Sequence, residues 1–235
     1  MALVSIISKT NLASKLILSP ERYDPRRKLQ IDERKTVELN KIAISTRKMI
    51  KPSNELGKCL VIDTSDAREG IIIARKPNIS GNEVGSAKKS VLPGDVIISR
   101  LRPYLRQVAF IDDKIPNATD DTSLAGNPRG RVLSKTQILC STEFFILRSI
   151  DNCSIAFLVP FLLSDKIQKV LAVSQEGGHH PRFIESTLLT LPIPKKLISQ
   201  REMISQKVIE GIASYRFSEN AIADMVNQSN KAFEC

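Results

Sequence analysis

Leu92 to Phe110, LPGDVIISRLRPYLRQVAF, reads as a β-hairpin with a cationic tip. Pro93-Gly94 predicts a turn, because proline presets φ and glycine accepts the strained position. Val96, Ile97 and Ile98 are β-branched and predict a strand that starts at Asp95. Gln107 to Ile111 predicts the returning strand. Between the strands lie Arg100, Arg102, Pro103, Tyr104 and Arg106. Three guanidiniums and one aromatic ring on such a tip suit phosphates and base edges. The alternative is that some of these arginines pair with carboxylates at the core edge.

A second informative stretch is Gly177 to Pro194, GGHHPRFIESTLLTLPIP. Its glycines permit unusual backbone angles and close approach to a ligand. His179, His180 and Arg182 all carry donors for phosphates or purine acceptors. The competing reading is a stabilising loop in which one histidine bonds a backbone carbonyl. A catalytic histidine is not the expected reading.

Outward from these stretches, Cys59–Ile62, Ile71–Ala74 and Phe144–Arg148 predict strands, with Asp66–Gly70 as a turn. Asp32–Ile50 predicts a mixture of short helix and strand. Asn78–Lys89 predicts a polar loop. Lys88 and Lys89 end that loop and are expected to touch a duplex backbone, with plain solvated surface as the equal alternative. Asp112–Gln137 predicts a long polar loop in which Arg129 and Arg131 can reach a ligand. Ile155–Val173 predicts one helix, with apolar residues recurring every three to four positions. Ser199 is expected to cap a final helix, with Glu202 completing a capping box.

That final helix carries Val208, Ile212, Tyr215, Ile222, Val226 and Phe233 as one stripe, interrupted by Glu219 and Ser229. At 1.5 Å per residue it extends roughly 50 Å. Such a helix is expected to pair with another as a coiled coil. The alternative is packing on its own domain.

The chain has 235 residues and a net charge of +10, unevenly placed. Residues 1–51 carry +7, whereas residues 198–235 carry −1. This asymmetry fits a polyanion partner for the body and a protein partner for the tail, and equally a basic solvated surface with no ligand. No run of eighteen apolar residues predicts a membrane helix. Nor does the N-terminus read as a secretory signal. Cys59, Cys140, Cys153 and Cys235 are scattered without zinc spacing, as expected of reduced thiols in a cytoplasmic protein. No metal site and no cofactor is expected. The dinucleotide, Walker and H-E-x-x-H motifs are missing, as is the Asn/Asp-Pro-Pro-aromatic tetrapeptide of amino-methyltransferases. Asp24 with Glu33-Arg34-Lys35 is a faint match to a nuclease carboxylate set.

Four segments, in order, resemble the target-recognition domain of type I restriction-modification specificity subunits. They are Pro93-Gly94-Asp95-Val96-Ile97 with Arg100; Cys140 to Arg148; Gly177-Gly178, Pro181-Arg182, Leu188 and Leu191 to Pro194; and Gln200 to Ile204. The resemblance implies an α/β (α+β) fold. A mixed-sheet recognition domain would span 1–197 and a long coiled-coil-type helix 198–235. It implies a non-catalytic subunit that recognises double-stranded DNA and directs a separate adenine methyltransferase, with a restriction motor subunit as a further partner. The residues expected at DNA are Lys88, Lys89, Arg100, Arg102, Tyr104, Arg106, His179, His180 and Arg182. No second copy of the G-D-V-I or G-G-H-H-P-R segments occurs, so a half-size form, a truncated piece or a relative is expected. A half-size form would homodimerise through the helix stripe. Two rival classes stay open: a decoy or interaction protein that does not read DNA, and a metal-dependent nuclease.

Overall fold

The computed structural model describes residues 6–11, 20–73, 77–115 and 136–233. The core is built from two sheets that share one apolar layer. A four-stranded antiparallel sheet runs in the order Val108–Phe110, Val96–Ser99, Phe144–Ser149, Ala43–Thr46. A five-stranded mixed sheet runs Met49–Ile50, Lys88–Ser90, Gln137–Cys140, Lys58–Ile62, Ile79–Ser80. Only its Gln137–Cys140 and Lys58–Ile62 pair is parallel.

The period of two explains the layering. Ile97, Ala109, Phe144 and Ile146 leave the four-stranded sheet on one face. There they meet Leu60, Ile62, Ile138 and Cys140 of the five-stranded sheet. Val96, Ile98, Val108, Phe145 and Leu147 leave on the opposite face and meet the helices. Strands buried on both faces read as continuous apolar runs, which is why Val96-Ile97-Ile98 carries no alternation.

The helices are α1 (Leu158–Leu163), α2 (Asp165–Val173), α3 (Glu185–Leu189), α4 (Lys195–Ser199) and α5 (Arg201–Ala232). The single helix expected over Ile155–Val173 is thus two. Ser164 between them is extended, at φ −63° and ψ 143°, and its hydroxyl donates to Phe161 O. The apolar period survives the break because both helices face the same core. Ser199 does not cap α5; its hydroxyl donates back to Lys196 O, and Gln200 is the N-cap residue without a side-chain bond. The expected polar loop Asn78–Lys89 contains strand residues at both ends. Within Asp32–Ile50 short 3₁₀ turns alternate with three strands. Pro192–Pro194 pairs at a sheet edge with Thr36–Glu38, where proline's missing N–H costs little. Ala74, Arg129, Arg131 and Cys235 lie outside the described residues.

α5 lies on the domain as far as Glu219. Ile212 is only 5% exposed and belongs to the core, and Val208 packs beside it. Arg201 binds Asp151, Ser149 and the carbonyls of Cys153 and Ser154. Arg216 binds Asp112 and Glu219, all three buried. The expectation of one partner-facing stripe is therefore corrected. Its first part covers this domain's own core, and Tyr215 is half-buried at the boundary. Ile222, Val226 and Phe233 remain exposed. Among the described residues no helix is long and apolar enough to cross a membrane.

Candidate nucleic-acid interface

The expected turn at Pro93-Gly94 forms with Gly94 at φ +95°, and Asp95 N donates to Leu92 O. Asp95 is 2% exposed at its side chain, yet it is fully engaged. Its carboxylate accepts Leu92 N at 2.8 Å and both Nε and Nη2 of Arg148. The G-D element thus fixes the hairpin's base, and its acid is structural.

At the other end of the hairpin, Arg100 to Gln107 forms the tip around a 3₁₀ turn, Pro103–Leu105. Arg102 and Arg106 flank that turn in left-handed conformations, at φ +44° and +53°. Such backbone angles cost about 1 kcal/mol or more each for non-glycine residues. The strain lifts Tyr104 outward, 68% exposed, beside an exposed Arg102.

The glycine-histidine segment forms a tight loop closed by reciprocal backbone bonds between Glu176 and Arg182, both 2.9 Å. Gly177 takes φ +102°, a conformation that favours glycine. His179 and His180 stand exposed at its tip. The loop is pinned on both flanks. Arg22 and Arg27 bind the Glu176 carboxylate. On the other side, Leu101 and Arg182 form a β-bridge, and Phe183 N donates to Arg100 O. Residues about 80 apart in sequence thereby become neighbours.

Glu143 fastens this junction, and sequence reasoning missed it. Its Oε2 accepts Arg100 Nε at 2.7 Å and Arg182 Nε at 2.9 Å, and its Oε1 accepts Arg182 Nη2 at 2.8 Å. The Arg182 and Arg100 guanidiniums hold its carboxyl down to about 2, against the desolvation that would raise it. The available signal was a lone acid, in S-T-E-F-F, ahead of a strand between two basic loops.

The expected DNA residues therefore divide. Arg102, Tyr104, His179 and His180 are exposed at the two loop tips. Arg100 is held by Glu143, the carboxylate pairing foreseen as the alternative for the hairpin arginines, and Arg182 is held by the same acid. Arg106 turns toward Glu69 and Asp165, at 3.3 and 3.6 Å. Lys88 reaches Ser86. Lys89 points inward, against expectation. Its ammonium donates to Phe144 O at 2.6 Å, lies 5.7 Å from the Phe145 ring centre, and is pushed to a lower pKa by burial. Asp24 caps the Pro25–Arg27 turn and pairs with Arg26. Burial raises the Cys140 thiol to about 12, which leaves it inert.

No protein-family model and no curated protein matches this chain. Solved structures do. One belongs to a study of complex assembly and conformational transition of the type I R-M system. It is 20% identical with a TM-score of 0.53, and the match covers 83% of this chain and 46% of that one. Another is the HsdS subunit from Thermoanaerobacter tengcongensis, 18% identical with a TM-score of 0.51, covering 85% and 46%. The chain spans about half the length of these structures. Its mixed sheets and long terminal helix are therefore similar to those of the HsdS fold.

Proposed function

We propose that this chain is a non-catalytic, sequence-specific reader of double-stranded DNA. The observation that carries the proposal is the adjacency of two loops, joined from Leu101 to Arg182, whose tips expose Arg102, Tyr104, His179 and His180. Arginine and histidine donors suit guanine and phosphate acceptors, and the exposed tyrosine adds a ring for stacking or sugar contact. The net charge of +10 supplies salt-dependent affinity. The HsdS fold supports the same reading.

In this account residues 1–197 form the recognition domain and residues 198–235 the partner helix. The body works in the cytoplasm as a subunit of a type I restriction-modification assembly and directs a methyltransferase subunit to its site. The free end of α5 presents Ile222, Met225, Val226 and Phe233 to a partner helix. We take a second copy of this chain as the occupant, because self-pairing would bury this exposed apolar end of α5 against its own like.

Selection from a randomised duplex pool, followed by titration at several salt concentrations, tests the function. A preferred sequence and a steep negative slope of log affinity against log salt are expected. Salt-dependent binding without preference leaves a basic surface, and no binding leaves a decoy.

A further inference from the structure

We propose that Glu143 is a positioning residue for DNA reading, whose carboxylate locks the hairpin tip and the histidine loop into one surface. The inference rests on the DNA-reading function above and assigns a device within it. Three features carry it. First, Glu143 takes Arg100 from the hairpin loop and Arg182 from the histidine loop. Second, its own backbone carbonyl accepts Arg100 N at 3.0 Å, so the acid is fixed to the hairpin it orients. Third, Arg182 spends its remaining terminal nitrogen, Nη1, on His180 O at 2.8 Å. A continuous chain of bonds thus runs from Arg100 through Glu143 and Arg182 to the backbone of the histidine tip.

An acid beside a phosphate-binding surface opposes DNA through its charge. Its presence is explained if two guanidiniums neutralise it and it returns geometry. Reading base edges requires donors held in one arrangement, whereas phosphate attraction tolerates loose loops. Removing the carboxylate is therefore expected to damage sequence choice while sparing bulk affinity. A merely structural residue would lower both together.

The test compares the full chain with Glu143→Gln on a selected duplex and on a scrambled duplex. The expected result is a specificity ratio reduced on the order of tenfold, with scrambled-duplex affinity unchanged or higher. Arg102→Ala and His180→Ala should show coupled losses in the parent chain and independent losses in the Glu143→Gln background. Should Glu143→Gln melt below the assay temperature, Arg182→Lys takes its place. Lysine keeps the charge but lacks the planar fork, and the same drop in ratio is expected. A ratio within twofold of the parent in the folded variant overturns the inference alone. A parent chain with no sequence preference overturns the DNA-reading function, and this inference with it.

Discussion

Arg182 grips Glu143 through two nitrogens, at 2.9 and 2.8 Å, across 39 residues of chain. This grip joins loops whose sequences give no hint of contact. It also makes the junction sensitive to acid. The Glu143 carboxyl ionises near 2 in the folded chain, below its ordinary value of 4.5. Its stabilisation is fully present above pH 4.5 and is lost as pH falls through about 2. Asp151, held low by Arg201 and Ser149, adds in the same direction. Hydrogen-exchange protection across 100–107 and 174–182, taken relative to the intrinsic rate at each pH, should fall in this window. Unchanged protection at pH 2 would contradict the grip.

Asp95 and Arg148 make the second decisive pair. Arg148→Ala leaves a buried carboxylate holding only the Leu92 amide. A loss of about 2 kcal/mol is expected, below the range for a wholly buried pair because Arg148 is partly exposed. Urea denaturation measures it. A change under about 0.5 kcal/mol would show that the turn holds without the pair.

The two halves of α5 should respond differently to the same substitution. Ile212→Ala removes a core side chain and should cost about 3 kcal/mol. Ile222, 61% exposed, should change the stability of a single chain by less than about 0.5 kcal/mol when replaced by alanine. In a dimer, Ile222→Ala should instead weaken association, as seen by sedimentation at several concentrations. Equal costs in urea would place both residues in one core.

These contrasts mark what was legible in the sequence. The hairpin from Leu92 to Phe110 was visible because turn chemistry and β-branched runs are local. The strand at Phe144 and the terminal helix were visible for the same reason. The direction each helix residue faces was not. Val208, Ile212 and Ile222 share one stripe, yet the domain underneath ends near Glu219. The break at Ser164 was hidden because α1 and α2 feed one core. Long-range ion pairs were hidden most completely. Arg22 and Glu176 are 154 positions apart, and only the packing of the N-terminal turns against α2 brings them together. Lys89 looked like a surface cation because its partner is the carbonyl of Phe144, which no side-chain pattern reveals.

The exposed and engaged arginines of the hairpin tip should separate by phenotype. Arg102→Ala should leave the melting temperature within about 1–2 °C and weaken duplex binding, by about 1–3 kcal/mol if it reads a base. Arg100→Ala should lower both, because it removes one of the two guanidiniums that hold Glu143 at the loop junction. Thermal melting paired with duplex titration distinguishes them. Identical profiles would remove the division between reading and positioning groups.

The most direct measurement is duplex selection by the intact chain, repeated for the combined Arg102→Ala, His179→Ala and His180→Ala variant. The account predicts one preferred sequence for the parent, and a variant that folds, keeps residual salt-dependent binding and selects nothing. A variant that enriches the same sequence as the parent would contradict it.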